Sequence, residues 1–142
     1  MFNRINHVGV VVRDLNETLE LFDKLFQLKP AVVKDAMEGK LKVAFVPVGY
    51  DEIELLQPLD PDTQLGEALR KSGQGIHHLA LSTDNIDADV ERLKKKGVVF
   101  DQEKPRIGAH GVKIILTRPE TTGGIIVELC EEKRPICPVN ID

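Results

Sequence analysis

Two stretches, RINHVGVVVRDL (residues 4–15) and GIHHLALSTDNI (residues 75–86), decide the fold of this 142-residue chain. Each places a histidine at the head of an alternating apolar run, which is typical of a strand, and each has near its end an acidic residue suited to cap a helix. The two histidines, His7 and His78, are 71 residues apart, half the length of the chain. This spacing predicts an internal repeat, in which two similar units pack by pseudo-symmetry and bring equivalent residues together.

The first half is interpreted as one strand, one helix and three further strands. Residues 5–13 alternate and are rich in valine, which predicts the first strand. Asp14 is a good helix N-cap with Glu17 at the capping-box spacing, and Pro30 ends the helical region. Apolar residues recur at helical intervals in between, at Leu15, Leu19, Phe22 and Phe26. Three more strands are predicted at residues 31–35, 40–48 and 52–58, with breaks at Glu38–Gly39 and Gly49–Tyr50.

The second half repeats this order after a linker. Residues 58–74 combine turn residues with a short amphipathic helix, and we interpret them as the linker between module 1–57 and module 75–131. Residues 75–83 predict a strand and residues 84–97 a helix, capped by Asp84 or Asn85 and closed by Gly97. Three more strands are predicted at residues 98–102, 111–117 and 123–132. The predicted fold class is α+β, a single domain over residues 1–142 in which two βαβββ modules form one curved mixed sheet.

The composition limits the classes of binding partner and the cellular location that we expect for this protein. The net charge of −4 gives no electrostatic support for a nucleic-acid partner. No apolar run approaches the roughly 18 residues that cross a bilayer, and the first residues lack the pattern of a signal peptide. The two cysteines, Cys130 and Cys137, are expected to be reduced thiols rather than a disulfide. We therefore expect a cytoplasmic protein without a membrane or nucleic-acid partner.

Four side chains at equivalent places in the two halves are candidate metal ligands. They are His7 and Glu54 in the first half and His78 and Glu128 in the second. Alternation turns the apolar neighbours of each residue to the other face, so both imidazoles and both carboxylates should project from the concave side of the sheet. This set suits Co, Ni, Mn, Fe or Zn and leaves two open positions on an octahedral ion. His77 should point to the opposite face, and we interpret it as structural.

Paired βαβββ modules with histidine and glutamate on their first and last strands resemble the vicinal oxygen chelate (glyoxalase/bleomycin resistance/dioxygenase) superfamily. Within it, four stretches are similar to the methylmalonyl-CoA epimerase family: VAFVPVG…IELLQPLDPDT, GQGIHHLAL, KPRIGAHG and TTGGIIVEL. The resemblance extends to about Glu131. It implies metal-dependent epimerisation of (R)- and (S)-methylmalonyl-CoA by removal of the α-proton through a metal-stabilised enolate. It also implies an acyl-CoA as substrate partner and a homodimer.

The resemblance also assigns roles to individual residues. The metal ligands fall on His7, Glu54, His78 and Glu128, and the implied divalent ion is Co²⁺ first, with Ni²⁺, Mn²⁺ and Zn²⁺ as alternatives. The second ligand is glutamine in some members and glutamate here. The catalytic base falls on Glu38, in a turn that reads Glu-Gly-Lys where relatives often read Glu-Gln-Gly, and Glu128 is the candidate for the opposite face. The implied substrate-binding residues are Arg106, His110, Gly111, Thr122 and Gly123, with Lys104 as a further candidate to meet phosphates.

Two other functions fit parts of the same pattern. A glyoxalase I-type lactoylglutathione lyase uses a similar metal site and an enediolate, so the ligands alone do not discriminate between the two enzymes. A drug-sequestering binding protein of the same superfamily often lacks the metal ligands, and the presence of all four argues against it. A ring-cleaving dioxygenase is disfavoured because a fourth protein ligand would occupy a position that its oxygen chemistry needs.

Overall fold

The computed structural model describes residues 1–132. It contains eight strands and three helices in the order βαβββ-α-βαβββ. The strands are β1 Phe2–Val11, β2 Val32–Ala36, β3 Leu41–Val48, β4 Asp51–Pro58, β5 Gly75–Thr83, β6 Arg106–Ile107, β7 Lys113–Leu116 and β8 Val127–Glu131. The helices are α1 Leu15–Phe26, α2 Gln64–Ser72 and α3 Ile86–Lys95, with 3₁₀ turns at Met37–Gly39 and Pro119–Thr121. Within the described residues, none of the helices is long and apolar enough to cross a membrane.

All eight strands form one curved mixed sheet in the order β2-β3-β4-β1-β5-β8-β7-β6. The two first strands of the modules, β1 and β5, pair antiparallel at the centre. Each is flanked on its outer side by the last strand of its own module, in parallel pairing. The order is therefore symmetric about the seam between β1 and β5, and the predicted fold class is confirmed.

The α1 and α3 helices cover the convex face of this sheet. One apolar cluster joins α1 to the sheet through Leu15 and Leu55, and another joins α3 to it through Ile86 and Leu129. Leu15 and Ile86 are equivalent in the repeat, and both are almost fully buried. Burying a side chain of this kind contributes about 1.5–3 kcal/mol. Because Leu55 and Leu129 face the helices, the adjacent Glu54 and Glu128 face the concave side, as alternation along a strand requires.

The predicted helix ends are largely observed. The Asp14 carboxylate accepts a hydrogen bond from the Glu17 N–H at the start of α1. At the start of α3 the cap is Asn85 rather than Asp84, and its side-chain oxygen accepts from the Ala88 N–H. The α1 helix ends before Pro30, at Phe26, because Gln27 adopts the left-handed conformation of a C-cap.

Two strand predictions in the second half are wrong in position. Residues 98–102 form only an isolated bridge between Phe100 and Thr117, because the Asp101 side chain accepts the Leu116 N–H that a longer strand would have paired. The strand that pairs with β7 is the two-residue β6 instead. The last strand, predicted from residue 123, begins at Val127, because the preceding glycines have positive φ and belong to a turn. The tail from residue 133, with Cys137, lies outside the described residues.

Candidate metal centre

The structure brings His7, Glu54, His78 and Glu128 together on the concave face, at the seam between the modules. Each offers one ligand atom, and these four atoms lie within 4.8 Å of one another. His7 Nε2 is 2.9 Å from Glu54 Oε2, and His78 Nε2 is 3.1 Å from Glu128 Oε2. The two Nε2 atoms are 3.2 Å apart. All four side chains are buried, so residues far apart in the chain form one enclosed polar group.

The charges of these four side chains favour a positive charge between them. Burial acts against the charged form of His78, but hydrogen bonds and charge attraction from Glu128 and Glu54 outweigh it and raise its pKa to about 9. Burial also opposes ionisation of Glu54 and Glu128, yet the neighbouring imidazoles hold the pKa of both carboxyl groups below the ordinary value. Two buried carboxylates therefore persist at neutral pH and require a proton on an imidazole or a cation between them.

The donor set fits a divalent cation. His7 Nδ1 donates to Asn6 Oδ1 over 2.8 Å, so in the neutral ring Nε2 carries the lone pair. That lone pair faces Glu54 and the other imidazole nitrogen, so four electron-rich atoms converge on one point. Two imidazole nitrogens and two carboxylate oxygens are ligands that Co, Ni, Mn, Fe and Zn accept.

Two β-bulges explain the arrangement of the histidines. In the β1–β5 pairing, Asn6 is the extra residue between Ile5 and His7, and His77 is the extra residue opposite the Gly9–Val10 step. A bulge interrupts the alternation of side chains, so a bulged residue can lie beside its neighbour instead of opposite it. The prediction that the His77 side chain points away from His78 is therefore wrong.

Each bulged side chain contacts the remote ring nitrogen of the adjacent histidine. Asn6 meets Nδ1 of His7, and Nδ1 of His77 is 3.0 Å from Nδ1 of His78. Burial and the nearby charge of His78 lower the pKa of His77 to about 4, so His77 is neutral at physiological pH. The thiol of Cys130 adds a contact on the far side, because it donates to Glu128 Oε1 over 3.1 Å.

Gly9 provides the space that the His78 ring occupies. A Cβ built on Gly9 would lie 2.1 Å from His78 Cε1, closer than any non-bonded contact. Gly9 pairs directly with His78, just as Ala80, its repeat equivalent, pairs with His7. The Gly9–His78 and Ala80–His7 pairs lie on either side of the pseudo-symmetry axis. Only the first requires glycine, because the His78 ring lies close to the Gly9 backbone.

His110 is the one predicted substrate-binding residue that the described structure shows beside the candidate ligands. Its ring stacks on Phe45 with centroids 3.9 Å apart, and its centroid lies 5.7 Å from that of His7. Its Nε2 is 2.8 Å from Glu52 Oε1, in a partly buried contact. The loop between β6 and β7 thus reaches across to the first module, where the Lys34 ammonium donates to the Ala109 carbonyl.

Glu38, the predicted base, lies on the turn between β2 and β3, outside the four-residue group. Its side chain is exposed. Met37, Glu38 and Gly39 have φ values of 52°, 55° and 81°, three consecutive left-handed residues. For the two non-glycine residues this conformation costs on the order of 1–3 kcal/mol each, and such backbone is concentrated at functional sites.

The other predicted loop residues are occupied within their own loops. Arg106 pairs with Asp101 over 2.9 Å. Thr122 Oγ1 donates to the Ile125 carbonyl over 2.6 Å. Gly111 and Gly123 are turn residues with φ of 77° and 69°. These contacts and turn conformations stabilise the loops themselves.

Sequence reasoning missed Asn6, Phe45 and Glu52. The repeat carried a signal for Asn6, because Asn6 and His77 immediately precede the two histidines at equivalent places. Glu52 lies two residues before Glu54 and so shares its strand face. Phe45 had no such signal, because its role depends on a loop from the other module.

A cleft of about 270 Å³ adjoins the group on the side of the second module. Its wall includes His77, and Lys71 and Arg118 place two cationic side chains on it. Because His77 contacts His78, the cleft lies one side chain away from the four candidate ligands.

Comparison with known proteins gives a consistent result. Residues 6–116 match the Glyoxalase/Bleomycin resistance protein/Dioxygenase superfamily. The mitochondrial methylmalonyl-CoA epimerase of Homo sapiens is 35% identical over 127 residues, which cover 89% of this chain and 72% of that protein. The ethylmalonyl-CoA/methylmalonyl-CoA epimerase of Cereibacter sphaeroides is 31% identical over 131 residues, covering 91% of this chain and 98% of that protein.

Solved structures agree with the sequence relatives. A variant of the Streptomyces coelicolor methylmalonyl-CoA epimerase, in complex with 2-nitronate-propionyl-CoA, matches with a TM-score of 0.88 and 28% identity. The match covers 94% of this chain and 100% of that chain. Sequence, fold and the two matched histidine–glutamate pairs thus agree, and the chain belongs to the methylmalonyl-CoA epimerase family of the glyoxalase/bleomycin resistance/dioxygenase superfamily.

Proposed function

We propose that this protein is an isomerase that interconverts (R)- and (S)-methylmalonyl-CoA. The observation that carries the proposal is the buried group of His7, Glu54, His78 and Glu128 at the seam of a fold shared with methylmalonyl-CoA epimerases. The four residues act as ligands of a divalent cation. When bound, the cation supplies stabilisation of the negative charge that develops on a thioester oxygen as the α-proton leaves.

The reaction requires proton transfer on both faces of a planar intermediate. One group must remove the α-proton and a second must deliver a proton to the opposite face. We assign Glu38 to one face, because its exposed carboxylate lies on a turn in the left-handed conformation. That conformation is unfavourable for residues other than glycine. Glu128 is assigned to the other face, where its second oxygen contacts the Cys130 thiol. The two carboxylates come from different modules.

The substrate is placed by the cleft and by the loop of His110. The cleft beside His77 is the proposed entry for the acyl-CoA arm, and the Arg118 guanidinium on its wall is the proposed contact for an anionic group, since Lys71 is paired with Glu67. His110 is assigned to substrate contact because Phe45 and Glu52 hold it next to the ligands. For the loop that carries Thr122 and Gly123 the proposed contact is the backbone N–H of Gly123, since the Thr122 side chain has an internal partner. Arg106 and Gly111 stay proposed substrate contacts, although Arg106 pairs with Asp101 and the Gly111 N–H donates to Gly108.

We also propose the native metal ion, the oligomeric state and the cellular location of the protein. We assign Co²⁺ as the native ion, with Ni²⁺, Mn²⁺ and Zn²⁺ as the ions to compare. A homodimer is supported by exposed apolar residues on the outer strand, Val32 and Val33, which are 46% and 51% exposed. A cytoplasmic location agrees with the free thiol of Cys130. Light scattering tests the dimer, and metal analysis of protein purified without added metal tests the ion.

The decisive experiment is solvent exchange at the substrate. Protein loaded with Co²⁺ is incubated with (S)-methylmalonyl-CoA in D₂O, and deuterium at the α-carbon and the appearance of the (R)-epimer are followed together. We expect both, and both should vanish after chelation and return when the ion is restored. Absence of exchange in the loaded protein would overturn the proposal. A parallel assay with the hemithioacetal of glutathione and methylglyoxal should be inactive, and activity there would favour the lyase instead.

A further inference from the structure

We propose that Asn6 and His77 are matched positioning residues, which hold the Nδ1–H of the two ligand imidazoles so that both Nε2 lone pairs face the cation site. The proposal rests on the metal centre assigned above and adds two residues that do not touch the ion. It depends on the two bulges, the two Nδ1 contacts and the partners that orient each bulged side chain.

The bulges occur at equivalent points of the repeat. Asn6 precedes His7 and His77 precedes His78, and each is the unpaired extra residue of its strand in the β1–β5 ladder. Without a bulge, the residue before a ligand would point to the convex face, where helices pack. The interruption turns it towards the ring of its neighbour instead. Both modules therefore use the same backbone device to bring a polar side chain to a ligand.

The orientation of Asn6 is set by its amide nitrogen. Nδ2 donates to Ser82 Oγ over 3.0 Å and also to the Glu132 carboxylate. Oδ1 is therefore directed to His7, and it accepts the Nδ1–H. Asn6 is 3% exposed, so water does not compete for these bonds. His7 is thereby held as the tautomer with a free lone pair on Nε2.

His77 performs the same task with a ring nitrogen. When His78 binds an ion through Nε2, its Nδ1 carries the proton, and Nδ1 of His77, 3.0 Å away, is placed to accept it. His77 must then be the tautomer with its own proton on Nε2. The rings meet edge-on, with centroids 5.2 Å apart and planes at 89°.

The test compares Zn²⁺ affinity in four variants by competition with a chromogenic chelator. His77→Leu removes the acceptor, and we expect affinity to fall by about 10- to 100-fold, as for other partners of ligating histidines. Asn6→Leu should have a similar effect. His77→Asn installs the residue that the first module uses, and it should stay within about threefold of wild type. Asn3→Leu is the matched control, because Asn3 is also an extra residue of the β1–β5 pairing but donates to Asp84 at the surface.

A second readout separates positioning from folding. In protein labelled with ¹⁵N-histidine, we expect Nδ1 of His77 to show the shift of an unprotonated nitrogen, with or without Zn²⁺, and Nδ1 of His78 to be protonated in the Zn²⁺ form. A proton on Nδ1 of His77, or unchanged affinity in a folded His77→Leu variant, would overturn the inference. If wild type binds no Zn²⁺, the metal centre of the proposed function fails, whereas the His77 spectrum of the metal-free protein still decides the tautomer.

Discussion

The two modules share a framework and differ in the residues at equivalent places. Leu15 and Ile86 fill equivalent core positions, and Asp14 and Asn85 cap the equivalent helices α1 and α3. Near the seam the differences preserve a role, as where Asn6 is replaced by the repeat-equivalent His77. In the outer strands and the loops between them the two modules differ more. Pseudo-symmetry is therefore retained at the helix caps, in the core and at the seam, and it is lost at the two edges of the sheet.

The outer strands show this loss most clearly. In the first module, β2 has five residues and leads into the left-handed turn of Glu38. In the second module, β6 has two residues and leads into a loop that reaches Phe45 through the His110 ring. An enzyme that inverts a centre has to treat two faces of one intermediate, and unequal flanking loops give these faces unequal surroundings.

The largest expected effect separates the two carboxylate ligands. Glu128→Gln should lower kcat by about 100-fold or more, because the variant removes a proposed base as well as a charged ligand. Glu54→Gln, at the equivalent place in the first module, should stay within about tenfold of wild type, since an amide oxygen can replace a ligand that moves no proton. Steady-state rates with saturating Co²⁺ measure both. Equal losses would remove the base role of Glu128.

The next effect concerns the turn that has no counterpart in the second module. Glu38→Gln should lower kcat by about 100-fold while leaving Co²⁺ affinity unchanged, because Glu38 lies outside the ligand group. Asp35→Asn, which changes an exposed carboxylate on the preceding strand β2, is the matched control and should keep full activity. Rates and metal titrations on the same preparations check both expectations. Full activity of the Glu38 variant would contradict its assignment.

A smaller effect tests the close approach at the seam. Gly9→Ala places a methyl group where the His78 ring lies, so we expect about tenfold weaker metal binding and a loss of about 1–3 kcal/mol in unfolding free energy. The reverse change at the equivalent position, Ala80→Gly, should leave metal affinity unchanged and cost about 1 kcal/mol. Denaturant unfolding with and without metal compares them. Wild-type affinity in Gly9→Ala would show that the ring has room to move.

The last expected effect requires no substitution and is a pH dependence that distinguishes the metal-free from the loaded protein. The pKa of His78 is raised to about 9, so without metal its proton contributes stability that is complete below the ordinary pKa of about 6.5 and is lost as pH rises through 9. Metal must displace that proton, so its affinity should rise by about tenfold per pH unit between pH 7 and 9. Calorimetry in buffers of different ionisation enthalpy should detect about one proton released per ion. No release at pH 7 would contradict the raised pKa.

The sequence predicted the features that depend on the internal repeat and on the alternation of side chains along a strand. The βαβββ order and the convergence of His7 with His78 follow from two copies of one pattern, and the structure has both. It did not predict the side on which His77 lies, because a bulge depends on the register between two strands and not on either strand alone. For the same reason the Phe45–His110 contact, formed between modules, had no local signal.

The division of the four candidate ligands between the modules has a consequence for folding. Neither half supplies more than one imidazole and one carboxylate, so an ion held by all four binds only after β1 and β5 have joined. Binding of the ion therefore stabilises the joined form, and it adds RT ln(1 + [ion]/Kd) to the free energy of unfolding. Metal starvation would accordingly weaken the junction between the halves before it weakened either half.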